Sequence, residues 1–304
     1  MVESCQQTQT GQDLCAKDFS FMLHYSLVII ATVMFAVQFL FNQKFQQGYG
    51  SDTKATLVFS LYKSAVASLI MLIISGFKIA ITPFSVLLAF ISAVSGIMML
   101  YFSLKAFSVA NLSVYSVFSM LGGMILPFLL GVCFYNEELS PLKIVCCVLI
   151  VLAVLLNIQK GENGKKALLY YMAVFVLNGM AGVISKIHQS SGYPITDSTG
   201  FTFLINIISV IICAIWLLVK YKKIPVVKGK NLLYSSGYGV LNGVGNLFLL
   251  IALSNLPTSV QYPLVTGGVM VFSTVISVLQ KEKLTKKDYI ATAVSFVASV
   301  LIVF

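Results

Sequence analysis

Long apolar runs alternate along this chain with short polar gaps, and the runs are of similar size. A helix needs roughly 17 to 25 mostly apolar residues to cross a bilayer. That template fits ten times, over 21–41, 54–76, 82–104, 112–134, 141–158, 166–186, 199–220, 231–253, 259–280 and 286–303. The gaps hold the turn-forming and charged residues, as in "YNEELSP", "QKGENGKK", "KYKKIPVVKGKN" and "SNLPTS", and leave no room for a soluble domain. The pattern predicts an all-α membrane protein of ten transmembrane helices, preceded by a polar and disordered tail over residues 1–20.

The pattern also repeats. "MLGGM" at 120–124 followed by "NEEL" at 136–139 recurs as "VTGGV" at 265–269 followed by "KEKL" at 281–284, at one constant offset that pairs Glu137 with Glu282. Upstream, "NQKFQQ" (42–47) aligns with "SKIHQS" (185–190). The chain therefore reads as two five-helix repeats, 21–160 and 161–304. Because five is odd, the second must enter the membrane in the opposite sense to the first. Inverted repeats of this kind are typical of secondary transporters.

Composition sharpens the picture. The chain is 58% hydrophobic and 10% charged, with a mean hydropathy of +0.94, whereas a soluble domain carries about 25% charged residues. Every basic residue is lysine, and no carboxylate lies deep in an apolar run. The net charge of +10 thus reflects lysines beside the membrane, facing anionic lipid, and not a nucleic-acid surface. Most of them lie on the side of the spans opposite the N-terminus, which favours both termini outside. The six cysteines have no metal-ligand spacing and only His24 and His188 to help them, so they read as small apolar filler. No nucleophile with a nearby base is signalled, and no Gly-x-x-x-x-Gly-Lys cradle for a nucleotide. An enzyme and a direct ATP-driven pump are both disfavoured, and no cofactor or metal is expected.

Candidate chemistry lies inside the spans. Lys63 stands near the middle of the second one, where an isolated lysine costs about 2.5 to 3.5 kcal/mol on insertion scales. It is either a counter-charge for a carboxylate or phosphate on a substrate, or a structural lysine that binds backbone carbonyls or snorkels to an interface. Its repeat-mate is Asn206. In "GYGVLNGVGN", Gly239 and Gly243 form a small-xxx-small face for close helix packing. Beside it Tyr238, Asn242 and Asn246, spaced by four, form a polar stripe that should face inward. The stripe reads as a cavity wall or as interhelical glue. Further candidates for cavity lining are Gln38, Tyr101, Tyr115, Ser119, Asn178, Gln261, Tyr262 and Thr266. Gly122, Gly123, Gly267 and Gly268 are candidates for helix packing, and Pro263 marks a helix interruption near the ninth span's polar groups. Glu137 and Glu282 begin the last span of each half and read as charges that offset a positive helix start.

The two-fold five-span plan, with Gly-Gly, a span and Glu-x-Leu closing each half, resembles the drug/metabolite transporter superfamily and its EamA-like family over nearly the whole chain from residue 21. Lys63 stands where that family's second span usually has arginine. Met124 and Val269 replace the family's common proline. The resemblance implies alternating access about a chamber lined by spans 1, 3, 4, 6, 8 and 9, in a bacterial cytoplasmic membrane. It also implies both termini inside, against the lysine distribution. Small multidrug resistance proteins of the superfamily use a buried Glu in the first span for organic cations, and this first span has none. The expectation is a secondary transporter of a small polar metabolite, such as an amino acid or a related neutral or anionic solute. A non-transporting scaffold or sensor is the alternative. The partners expected are a small-molecule substrate and the lipid bilayer, with no nucleic acid and a homo-oligomer left open.

Overall fold

The fold is described from a computed structural model over residues 2–109, 111–134, 141–156, 162–253 and 258–301. The side chains of 2–21, 162–164, 258–263 and a few positions of the fifth and eighth helices are not described. The described residues form ten helices: α1 (Val2–Tyr49), α2 (Thr53–Ile74), α3 (Pro83–Ala106), α4 (Leu112–Phe134), α5 (Pro141–Leu156), α6 (Glu162–Gln189), α7 (Ser198–Tyr221), α8 (Gly229–Leu253), α9 (Thr258–Leu279) and α10 (Lys286–Leu301). Six segments among them, Met22–Tyr49 of α1 included, are long and apolar enough to cross a membrane. The protein is all-helical among the described residues, and integral to a membrane.

Helix boundaries follow the local chemistry. Asp52 accepts the Ala55 N–H at 2.8 Å to cap α2, Thr82 precedes Pro83 at the first position of α3, and Asp197 caps α7; each meets a backbone donor that the helix itself leaves unpaired. The first helix departs from expectation at both ends. It begins at Val2, so the polar leader is helical and not disordered; no proline interrupts it, and the ladder simply continues. It also runs past 41 to Tyr49, since Asn42 and Gln43 turn inward and are 1% and 2% exposed. Pro263 does not interrupt α9, nor Pro127 α4, because a single proline removes one ladder bond that neighbouring helices can compensate.

Small and hydroxyl side chains share the inward faces with large apolar ones, and other large apolar side chains face outward. On α2, Ser60, Ser64 and Ser68 are buried at a spacing of four, while Leu69 and Ile73 stand more than half exposed where lipid would cover them. Small inward residues let backbones approach, as membrane helices require when hydrophobicity cannot drive their association. A Cβ on Gly122 of α4 would strike the Phe175 backbone carbonyl of α6, and one on Gly123 would meet Asn178 Nδ2 at 2.8 Å. From the other side, a Cβ on Gly179 would meet the Gly122 carbonyl at 2.6 Å. A Cβ on Gly239 of α8 would strike the Lys63 carbonyl of α2, and one on Gly243 would meet Ile70 at 2.9 Å. On α9, Gly267 lies against Ser299 and Phe296 of α10, and Gly268 against Thr32 of α1.

Most of the packing joins one half of the chain to the other. α1 packs on α8 and α9, α6 on α3 and α4, α2 on α7 and α8, α3 on α7, α4 on α9, and α5 on α10. Exchanging each of α1–α5 for its counterpart in α6–α10 turns α1–α8 into α6–α3, α1–α9 into α6–α4, and α2–α8 into α7–α3, all of them observed. The lysine-rich end of the molecule holds the C-terminal ends of α1, α7 and α9 and the starts of α2, α4, α8 and α10. Contacts there include Asn231 Nδ2 to the Gly48 carbonyl at 3.5 Å and the Lys54 ammonium over the Tyr221 ring at 5.8 Å. Glu282 departs from its expected place at the start of α10. Its carboxylate accepts the Leu112 N–H of α4 at 3.1 Å, while α10 is capped by its own pair, Thr285 N–H to Asp288 Oδ2 at 2.8 Å and Asp288 N–H to Thr285 Oγ1 at 3.4 Å.

A candidate polar site among α1, α2, α4 and α8

The close contact of α8 with α2 brings the Lys63 side chain across to Tyr238. Its ammonium lies over the Tyr238 ring, 5.4 Å from the centroid, a cation–π geometry that gains strength away from water. Phe59 holds that ring from the edge, centroid to centroid 5.3 Å. One turn along α8, Asn242 donates from Nδ2 to Gln38 Oε1 of α1 at 3.3 Å, and Gln38 is 5% exposed. Among the described residues no carboxylate pairs with Lys63. Two members of the α8 stripe, Tyr238 and Asn242, thus meet a cation from α2 and an amide from α1.

A second polar group centres on Tyr115 of α4. Tyr115 of α4 is 1% exposed and packs its ring against Phe39 and Phe107. Its hydroxyl lies 2.8 Å from Ser103 Oγ of α3. Since Ser103 gives its proton to the Met99 carbonyl at 2.8 Å, Tyr115 is the donor. Asn42 and Ser119 stand beside that phenol. Asn42 Oδ1 and Ser119 Oγ are buried with no hydrogen-bond partner among the described residues, a state that costs about 1 to 3 kcal/mol for each group. Asn178 of α6 donates to the Ser119 carbonyl at 2.5 Å, which ties α6 to α4 beside Gly123.

Other candidates lie elsewhere. Asn246 donates to the Asn242 carbonyl of its own helix at 2.7 Å, and Asn206 to the Thr202 carbonyl at 2.9 Å; both amides are satisfied locally. Tyr101 stands toward the lysine-rich end, its ring faced by the Lys105 ammonium at 5.7 Å. Thr266 is half-buried on α9. The side chains of Gln261, Tyr262 and Pro263, and all of Glu137, lie outside the described residues. Sequence reasoning missed Asn42, Ser103 and the α6 glycines Gly179 and Gly182. A signal existed for the first, since Gln38 and Asn42 are four apart and share a helix face.

Comparison with known proteins agrees with this architecture. Twenty-seven chains of solved structures match the protein. One, described only as the crystal structure of a protein, is 12% identical, covers 94% of this chain and 97% of its own, and superposes with a TM-score of 0.59. At that identity the likeness shows a shared fold. No curated protein matches. Residues 165–304 match the model of the EamA-like transporter family. The second half of this membrane chain is thus similar to the EamA-like family, consistent with the drug/metabolite transporter superfamily that the motifs of both halves resemble.

Proposed function

We propose that the protein is a secondary transporter of a small polar metabolite, neutral or anionic, such as an amino acid or a related solute. The observation that carries this reading is the Lys63 ammonium, mid-helix over Tyr238 and beside the Gln38–Asn242 hydrogen bond, with no carboxylate partner among the described residues. A membrane-buried cation so placed is a functional site by default. An anionic group on a solute would supply the missing charge. Asn42 Oδ1 and Ser119 Oγ, unpartnered among the described residues, add hydrogen-bonding capacity in the Tyr115 group.

The packing supports a duplicated architecture, since exchanging the halves carries most helix pairs into other observed pairs. With five helices in each unit, the two units run in opposite senses and rock about the polar groups between them, exposing these to one face and then the other. A bacterial cytoplasmic membrane is the location that the family implies. Reconstitution in liposomes with labelled amino acids, sugars and phosphorylated metabolites tests the reading. Flux of a carboxylate or phosphate solute that disappears in Lys63→Met supports it. Flux undiminished by that substitution overturns the counter-charge role, and no flux of any solute favours the scaffold or sensor.

A further inference from the structure

At the lysine-rich end one carboxylate bridges three helices. After α9, Lys281 adopts a left-handed backbone, φ 57°, with its N–H on the Val278 carbonyl at 2.9 Å, and the Glu282 N–H returns to the Ser277 carbonyl at 3.0 Å. This helix-ending turn directs Glu282 back across the bundle. One carboxylate oxygen accepts Gln43 Nε2 of α1 at 2.6 Å, and the other accepts the Leu112 N–H at the start of α4 at 3.1 Å. Gln280 Nε2 lies 3.5 Å from Gln43 Oε1. Gln43 adjoins Asn42 in sequence, and Leu112 lies one turn from Tyr115, so this junction stands at the end of the second polar group nearest the lysines.

The elements meeting there are joined in different ways. α4 is fastened to α9 and α10 by buried hydroxyls: Ser113 N–H to Ser277 Oγ at 3.0 Å, Ser113 Oγ to Thr274 Oγ1 at 2.7 Å and to Thr292 Oγ1 at 3.3 Å. Glu282 directly follows α9 in the chain, and its hydrogen bond to the Gln43 amide links it to α1. Nearer the other end, α1 lies against α9 at the tight Thr32–Gly268 contact.

We propose that Glu282 is the latch of the gate at the lysine-rich end, and that release of the Gln43 amide opens α1 to admit solute to the polar groups. This rests on the carrier reading, and its test does not require flux. Ser119→Cys, a fully buried position, serves as reporter in the full-length protein in liposomes. A membrane-impermeant maleimide is applied from each face, modification at 119 is read by peptide mass spectrometry, and Lys283→Cys in the exposed turn identifies the lysine-rich face. Gln43→Leu should raise labelling at 119 from that face alone by about tenfold, the shift expected from loss of one charge-assisted hydrogen bond. The exchange Gln43→Glu with Glu282→Gln rebuilds a carboxylate–amide pair and should return the rate to that of the parent, which a general loosening of the bundle would not do. An unchanged rate in Gln43→Leu, an equal rise from both faces, or failure of the exchange to restore protection overturns the latch. Should Gln43→Leu not fold, Gln43→Glu alone sets two carboxylates face to face and must open the same side. Absence of flux with one-sided labelling would sink the carrier and keep the latch, and flux with unchanged labelling would do the reverse.

Discussion

At the scale of single residues, charge placed away from water decides most. Lys63 costs free energy where it stands, and the Tyr238 ring offsets only part of it. Lys63→Met should therefore leave the thermal midpoint unchanged or raised while lowering flux of an anionic solute by tenfold or more, about 1.4 kcal/mol of lost recognition. A calorimetric scan beside the liposome assay reads both, and a lowered midpoint would instead mark the lysine as structural. Lys281 presents the converse case, a non-glycine residue held left-handed so that Glu282 can reach across the bundle. Such a backbone costs roughly 1 to 2 kcal/mol, and Lys281→Gly should recover about 1 kcal/mol of it in a detergent unfolding titration. The location of Lys63 was legible in the sequence, since a lysine inside an apolar run is conspicuous. Its partner was not, because nothing in either helix says that Tyr238 stands opposite.

At the scale of helices, the spans could be read closely from apolar runs, and the ends of α2, α3, α4 and α7 fall within two residues of expectation. Hydropathy fails where buried polar residues mimic a loop, as at Asn42 and Gln43. The glycines show how small residues set helix distance. Gly122→Ala drives a methyl into the Phe175 carbonyl and should cost about 1 to 3 kcal/mol by overpacking. Gly96→Ala, with nothing within 4 Å of its Cβ, should be neutral or gain up to about 1 kcal/mol from helix propensity. Thermal midpoints of the two variants in one detergent compare them directly. Equal effects would show that α4 and α6 can slide apart at little cost.

At the scale of the whole molecule, helices of the two halves interlock, so that movement of one unit must be transmitted to the other. Joining Gln43→Cys to Glu282→Cys with a short bifunctional thiol reagent should stop flux. The same reagent on either single variant should not, and cleavage of a reducible linker should restore transport. Arrest by the single variants as well would point to a blocked path and not to a held gate.

The sequence by itself determined the membrane setting and the helices, because transfer of apolar surface out of water and the length of a span are properties of local runs. It also marked which residues are expensive to bury. Which of them meet was decided only by the tertiary structure. Glu282 illustrates the division: its position four residues before α10 suggested a charge for that helix, yet the turn at Lys281 sends its carboxylate to α1 and α4. Asn206 and Asn246 show the other side, since an amide free to bond its own helix does so unless a neighbour offers more. Contacts between helices far apart in sequence depend on how closely two backbones can approach, and that is fixed by the pairing of their small residues in space.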